Sequence, residues 1–414
     1  MKKYLMILSV FMMLILVGCS SDNSEQKGNP APRGVETESA ELFHYYYEAD
    51  LDGMVLSRYY GSKSKVKIPD IIEDIPVVRI RGDCFEVGAV TDVYYPETLK
   101  YFEWGNWNMN LEVEELSVIT IPYGVTHLGA NALSDTIITA ITIPNTVTHI
   151  GNYAFMGCIN LSDIIIPDSV THIGNQVFQG CSSLSTIVIP NSVTDLGENI
   201  FLNCINLTDV TISVGVTEVG GGMFRGCTNL KSIVIPNSII YIGGSVFQHC
   251  INLTNVNIPS GVDVIGGYMF ENTALESIFI PDNITRIGNY AFSGCINLSS
   301  VIIPNSVTSL RDGAFKDCIN LTEIKLSDNI VSIDASLFLG CTKLESLVIP
   351  DGVTKIWQSA FRDCINLTRL TVPDSVIEVG NNVFSNCNKL TIICSNGSFI
   401  HNYALENGIN FELH

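Results

Sequence analysis

Ile166-Pro167-Asp168-Ser169-Val170-Thr171-His172-Ile173-Gly174-Asn175-Gln176-Val177-Phe178-Gln179-Gly180-Cys181-Ser182-Ser183-Leu184-Ser185-Thr186-Ile187-Val188-Ile189 is one unit of a pattern that fills most of the chain. Its most regular members are a phenylalanine and a cysteine three residues apart. They recur at Phe155/Cys158, Phe178/Cys181, Phe201/Cys204, Phe224/Cys227, Phe247/Cys250, Phe292/Cys295, Phe315/Cys318, Phe338/Cys341, Phe361/Cys364 and Phe384/Cys387, at 23-residue steps. One step is irregular: the unit of Phe270 carries Thr273 in place of cysteine and is one residue short. A fixed period of this length means one solenoid coil per unit. Such a fold grows by adding coils to one continuous core, so the 414 residues need not divide into separate domains.

Within a unit, Leu184-x-x-Ile187-x-Ile189 alternates as a strand does, with Ile187 and Ile189 inward and Thr186 and Val188 outward. Stacking pairs these segments into a parallel sheet. Pro190 has no N–H for the ladder and ends the strand. Val193 and Leu196 point inward on the return side, Gly174 and its equivalents ease a tight corner, and Phe178, Cys181 and Leu184 fill the remaining core. The cysteine ladder reads first as buried, reduced packing residues. Disulfides between neighbouring coils and metal clustering are the alternatives. Cys394 falls outside the ladder, at what the alternation makes an outward strand position, so it is expected to be an exposed thiol.

With the core assigned, outward columns can be read. One runs through Thr142, Ile165, Val188, Thr211, Val234, Asn257, Phe279, Ile302, Lys325, Val348 and Thr371. Its apolar members Ile165, Val188, Val234, Phe279, Ile302 and Val348 make a candidate binding face, because contiguous exposed apolar surface marks interaction sites. Plain strand propensity of β-branched residues is the competing explanation. A second column reads His127, His149, His172, Asp195, Glu218, then Tyr241. Imidazoles and carboxylates in line are a divalent-metal donor set. The alternative is a solvated polar face, and no metal site is assigned. A column of asparagines (Asn160, Asn206, Asn229, Asn252, Asn297, Asn320 and Asn366) is expected to bond neighbouring backbone at a corner.

These units resemble the BspA-type leucine-rich repeat. Ile143-Pro144, Val147, Ile150-Gly151, Ala154-Phe155, Cys158 and Leu161 follow that pattern throughout, as does 281–298. The resemblance covers about residues 50–414. It implies an α/β solenoid: a right-handed leucine-rich-repeat coil with a parallel β-sheet on one face, short strands and helical turns elsewhere, and both ends capped. Gly53–Gly61 with Val66–Val77 is similar to the family's N-terminal cap. Ser398–Phe411 is similar to its C-terminal cap, a short helix and a last strand. Residues 94–117 depart from the pattern, with Trp104 and Trp107 where phenylalanine and cysteine belong.

Lys2 and Lys3 precede the apolar run Tyr4–Val17, too short to span a bilayer but suited to a signal peptide. Leu16-Val17-Gly18-Cys19 resembles the bacterial lipoprotein cleavage box, which implies lipidation of Cys19. Residues 20–40, poor in hydrophobics, read as a flexible tether with a root-mean-square span of roughly 25 Å. The expected organisation is a signal peptide at 1–18, lipidated cysteine and tether at 19–40, N-terminal cap and divergent units at 41–121, regular repeats at 122–395 and a C-terminal cap at 396–414.

The formal charge of -20 lacks the basic footprint of nucleic-acid binding and leaves the lipid as the only membrane attachment. The chain has no nucleophile elbow, P-loop, HExxH or dinucleotide fingerprint, so neither an enzyme nor a cofactor is expected. The resemblance implies a cell-surface adhesin that binds protein, such as a host matrix protein. A monomeric lipoprotein on the outer surface of a bacterial envelope is expected. Nutrient capture of glycan or peptide near Trp104 and Trp107, or a structural spacer, are the alternatives.

Overall fold

The computed structural model describes residues 36–63, 65–81, 84, 92–102 and 118–413. Cys19, the signal peptide, most of the tether, Trp104 and Trp107 lie outside the described residues.

The chain winds as a solenoid in which each regular coil contributes two short strands to two parallel ladders. The first ladder comes from the Leu-x-x-Ile-x-Ile segment. Ala140–Thr142 pairs with Val118–Thr120 on one side and Asp163–Ile165 on the other, with Ile141 opposite Ile164. The second ladder comes from the segment after the proline turn. His127–Leu128, His149–Ile150, His172–Ile173 and Asp195–Leu196 pair in register, one residue pair per coil. Alternation explains both: in Thr186–Ile189 the odd-numbered isoleucines are buried while Thr186 and Val188 face out. Pro190 closes that strand, and its carbonyl accepts the Val193 N–H at 3.1 Å in the turn beyond it.

The third side of each coil holds the Phe/Cys segment. Here the expected helical turns give way to a different backbone. Gln176 and Gly180 both have positive φ (56° and 73°), as do their equivalents in the other coils, so no right-handed helix forms. Alternate N–H groups instead point to the next coil: Phe155 donates to the Val177 carbonyl and Phe178 to Ile200, both at 2.9 Å. Among the described residues the one α-helix is Phe399–Asn407, opened by Ser398, whose side chain accepts from the His401 N–H. It buries Ile400 and Ala404, and the chain ends in the strand Asn410–Leu413 laid parallel against Thr391–Cys394. At the other end, Phe43–Glu48 and Gly53–Tyr59 form an antiparallel hairpin, and Gly53–Tyr59 pairs in parallel with Ile75–Ile80.

The core is a stack of identical layers. Phe155 through Phe361 are fully buried, and successive rings lie nearly parallel at centroid distances of 5.3–6.0 Å. The twelve described cysteines are all free and buried. Each ladder cysteine also has a polar partner. Cys181 Sγ donates to the Phe155 carbonyl at 3.1 Å and Cys204 Sγ to Phe178 at 2.9 Å, always one coil back. Burial pushes the Cys204 and Cys250 thiols up to about 12, so they remain protonated donors at neutral pH.

Two further expectations change. Cys394 is buried, not exposed. The last coil is one residue shorter before its strand: Leu370 pairs with Ile392 and Thr371 with Ile393, a step of 22. That slip turns the side chain of Cys394 to the inside. Gly174 does not need an unusual φ. A Cβ there would lie 2.7 Å from the Asn152 nitrogen and 2.9 Å from the Gly151 carbonyl carbon, so close approach of coils requires the glycine.

Candidate binding surfaces

Two outward surfaces remain. On the first ladder, Ile165, Val188, Val234, Phe279, Ile302 and Val348 all face solvent, at 59–79% exposure. Thr211, Asn257 and Lys325 interrupt them, leaving the adjacent pairs Ile165–Val188 and Phe279–Ile302. Phe279 sits where the short coil breaks the sheet. No strand is formed between Asn255–Val256 and Ser300–Ile302 in this row.

A parallel apolar row escaped the sequence reading. Ile159, Ile205, Ile251, Ile296, Ile319 and Ile365 are 40–54% exposed at the corner before the first ladder. The recurring Cys-Ile-Asn-Leu was its signal in the sequence. Between the two apolar rows lie the exposed polar residues Asp163, Thr186, Asp209, Ser232 and their equivalents. The asparagine column partly does what was expected: Asn252, Asn320 and Asn366 donate to carbonyls of the preceding coil at 2.7–2.8 Å, while Asn229 donates to Asn206 at 3.1 Å.

On the second ladder the histidines form a stack. Ring centroids of His127 and His149 are 4.4 Å apart, and those of His149 and His172 4.2 Å, with interplanar angles of 15° and 13°. Tyr101 extends the stack, 4.6 Å from His127. It was legible as the fifth residue after Pro96, as His127 is after Pro122. Arg79 pairs opposite Tyr101 and was not legible, because the Ile71–Ile72/Ile75–Ile80 hairpin alters the spacing from Pro69.

Each histidine Nδ1 lies 2.7–2.8 Å from the hydroxyl of the threonine before it, Thr126, Thr148 or Thr171. Thr148 and Thr171 donate their protons to the carbonyl one coil back, at 3.2 Å. This network assigns Nδ1–H to the imidazoles and leaves the Nε2 lone pairs outward. Burial, then the charge of neighbouring imidazoles, holds His127 and His149 below the usual histidine range. Stacked rings have nearly parallel in-plane lone pairs, which cannot converge on one ion as tetrahedral ligation demands. Among the described residues no group of three histidine, cysteine or carboxylate side chains is placed to hold a metal.

The stack lines a groove of about 510 Å³, together with Asn152, Asn175, Asp195 and the glycines Gly129, Gly151, Gly174 and Gly197. Beyond His172 the column changes character. Asp195 pairs in register with His172, and Glu218 and Tyr241 continue the sequence column. Further along it, Lys355 Nζ lies 3.4 Å from the centre of the Trp357 ring and 2.6 Å from Glu378.

A solenoid of 23-residue coils with parallel strands, a phenylalanine stack and two outward-facing ladders is a leucine-rich-repeat architecture. The BspA type leucine rich repeat region matches residues 62–162, 148–275 and 263–391, with six copies, and the chain belongs to that family. It is similar to the solved structure of a leucine-rich repeat protein from Bacteroides ovatus, at 26% identity and a TM-score of 0.67, over 92% of this chain and 100% of that one. It is also similar to a leucine rich cell surface protein from Faecalibacterium prausnitzii, at 29% identity and a TM-score of 0.56, over 91% and 98%. A leucine-rich repeat protein from Eubacterium ventriosum shares the fold at 22% identity, with a TM-score of 0.50 over 84% and 93%. No curated protein matches the chain.

Proposed function

We propose that this protein is a cell-surface adhesin that binds another protein through the first-ladder face. The observation that carries the reading is the row of exposed apolar side chains, Ile165 to Val348, on a sheet surface that no other described part of the chain covers. Flat sheet surface with separated apolar anchors and a polar strip between suits a protein partner, where a few desolvated anchors supply most of the affinity. The Faecalibacterium relative is described as a cell surface protein, which supports an outer-surface location. In this reading Cys19 carries the lipid, residues 20–40 are the tether, and the described ends act as caps. A host matrix protein is the proposed partner and the protein acts as a monomer.

The test is binding of the purified chain to immobilised matrix proteins, with a Phe279→Asp/Ile302→Asp double variant alongside. We expect at least a tenfold loss of affinity with an unchanged melting temperature. Equal binding by the variant would remove the first-ladder face from the reading. Protease shaving of intact cells checks the location: a domain cut only after lysis is not an adhesin.

A further inference from the structure

The sequence holds two Asn-Gly pairs, Asn396-Gly397 and Asn407-Gly408, at the two ends of the helix Phe399–Asn407. An asparagine before glycine can modify itself, because glycine has no Cβ to hinder its nitrogen from turning onto the side-chain amide. The reaction is intramolecular, so no entropy is spent on bringing the partners together. Both asparagines are exposed, but their settings differ. At Asn407 both reacting groups are held. Its Nδ2 donates to the Tyr403 carbonyl at 2.9 Å, and the Gly408 N–H is bonded to the carbonyls of Ala404 and Leu405. Attack there requires the last helical turn to unwind. Asn396 lies in the turn between the strand Thr391–Cys394 and the helix, closed by the Ser398 N–H on the Ser395 carbonyl at 3.3 Å. Among the described residues nothing hydrogen-bonds the Asn396 side chain. One restraint remains: the Gly397 N–H donates to His401 Nδ1 at 2.9 Å. That imidazole is buried and packs edge-on against Phe411, with ring centroids 4.7 Å apart.

We propose that Asn396 is a site of spontaneous deamidation and that His401 sets its pace. The Gly397 nitrogen attacks Asn396 Cγ. A C–N bond forms, the Cγ–Nδ2 bond breaks, and the Gly397 proton leaves with the amide nitrogen as ammonia. Water then opens the cyclic imide. Opening at one carbonyl gives aspartate; opening at the other gives isoaspartate, with the backbone routed through the side chain. No further reactant is consumed. Ring closure removes the N–H that His401 accepts, so that bond must be given up first and the imidazole acts as a brake. The new carboxylate stands just before the helix N-terminus, where the orphan N–H groups favour negative charge. Isoaspartate also lengthens the turn by one backbone atom. This one-way change at the end of the solenoid is independent of the proposed binding face.

The test incubates the full chain at neutral pH and body temperature. Mass spectrometry of its peptides, with enzymatic methylation of isoaspartate, reads conversion at each asparagine. Asn396 is expected to convert at least tenfold faster than Asn407, and Asn396→Gln to remove the signal. His401→Ala should speed conversion at Asn396 at least threefold. His401→Asn, which puts an oxygen acceptor where Nδ1 stood, should recover most of the brake. Melting temperatures confirm that each variant is folded, and the comparison of Asn396 with Asn407 needs no variant. Conversion at Asn396 no faster than at Asn407 would overturn the site. An unchanged rate in His401→Ala, or equal rates in the alanine and asparagine variants, would overturn the role of His401.

Discussion

The inside and the outside of this solenoid obey different rules, although both are read from the same 23-residue frame. Inside, Phe155, Phe178, Phe201 and Phe224 are interchangeable: each is fully buried and each stacks on the next at nearly the same distance. Outside, no two neighbouring coils need agree. Val188, Thr211, Val234 and Asn257 share one column, and His172, Asp195, Glu218 and Tyr241 share another. A side chain between two copies of itself must fit both, so every inner layer constrains its neighbours. A solvent-facing side chain meets only water and its flanks. Sameness therefore reports the scaffold, and difference marks where specificity resides.

Phe224→Ala breaks this contrast most severely. It opens a cavity between two rings and is expected to destabilise the fold by about 3–5 kcal/mol, read as a lower urea midpoint. The same truncation outside, Phe279→Ala, should remain within about 0.5 kcal/mol of wild type. Near-equal losses would mean that the layers are not tightly packed.

Cys227→Ala comes next. It removes a small buried side chain and the thiol donor to the Phe201 carbonyl, at 3.1 Å. That carbonyl keeps the Cys204 N–H at 3.0 Å, so it is not orphaned and the loss should be about 1–2 kcal/mol. In the native protein the ladder thiols should resist alkylation at pH 8 and react only on unfolding. Rapid labelling of the folded chain would contradict their burial.

The smallest effect sharpens the outer side. His127 and His149 take up protons less readily in the fold than in the unfolded chain. As pH falls below about 6.5, the unfolded chain gains protons that the folded one does not, so stability present at neutral pH is lost through the folded pKa values. The melting temperature should fall on acidification, and by less in a His127→Gln/His149→Gln variant. Identical pH profiles would mean that the stack does not penalise charge.

Most of the inner structure was legible because period and burial follow from one alternation. The Leu-x-x-Ile-x-Ile strands, the Phe/Cys core and the outward positions of Ile165 through Val348 all came from it. The features that were not legible depend on one residue more or less. Cys394 turned inward because a missing residue shifted the last strand. The helical turns did not form because two positive-φ residues per coil redirect the backbone, and residues such as Gln176 and Tyr153 do not advertise that conformation. On the second ladder, the histidine column was legible, but its ring stacking, its threonine partners and Arg79 required the fold.

Thr273 has a consequence for the molecule as a whole. Its hydroxyl donates to the Phe270 carbonyl of its own coil, at 2.9 Å, not to the coil before. The thiol ladder is thereby split into the runs Cys158–Cys250 and Cys295–Cys387, and the same coil contributes no strand to the first ladder. The phenylalanine stack crosses the gap unbroken, with ring centroids 5.7 and 5.3 Å apart on either side of Phe270, and so does the second ladder, where Val264–Ile265 pairs with Arg286–Ile287. The core and the second ladder thus carry the solenoid through the short coil as one body, and the fault is confined to the first-ladder face, where Phe279 rides on it.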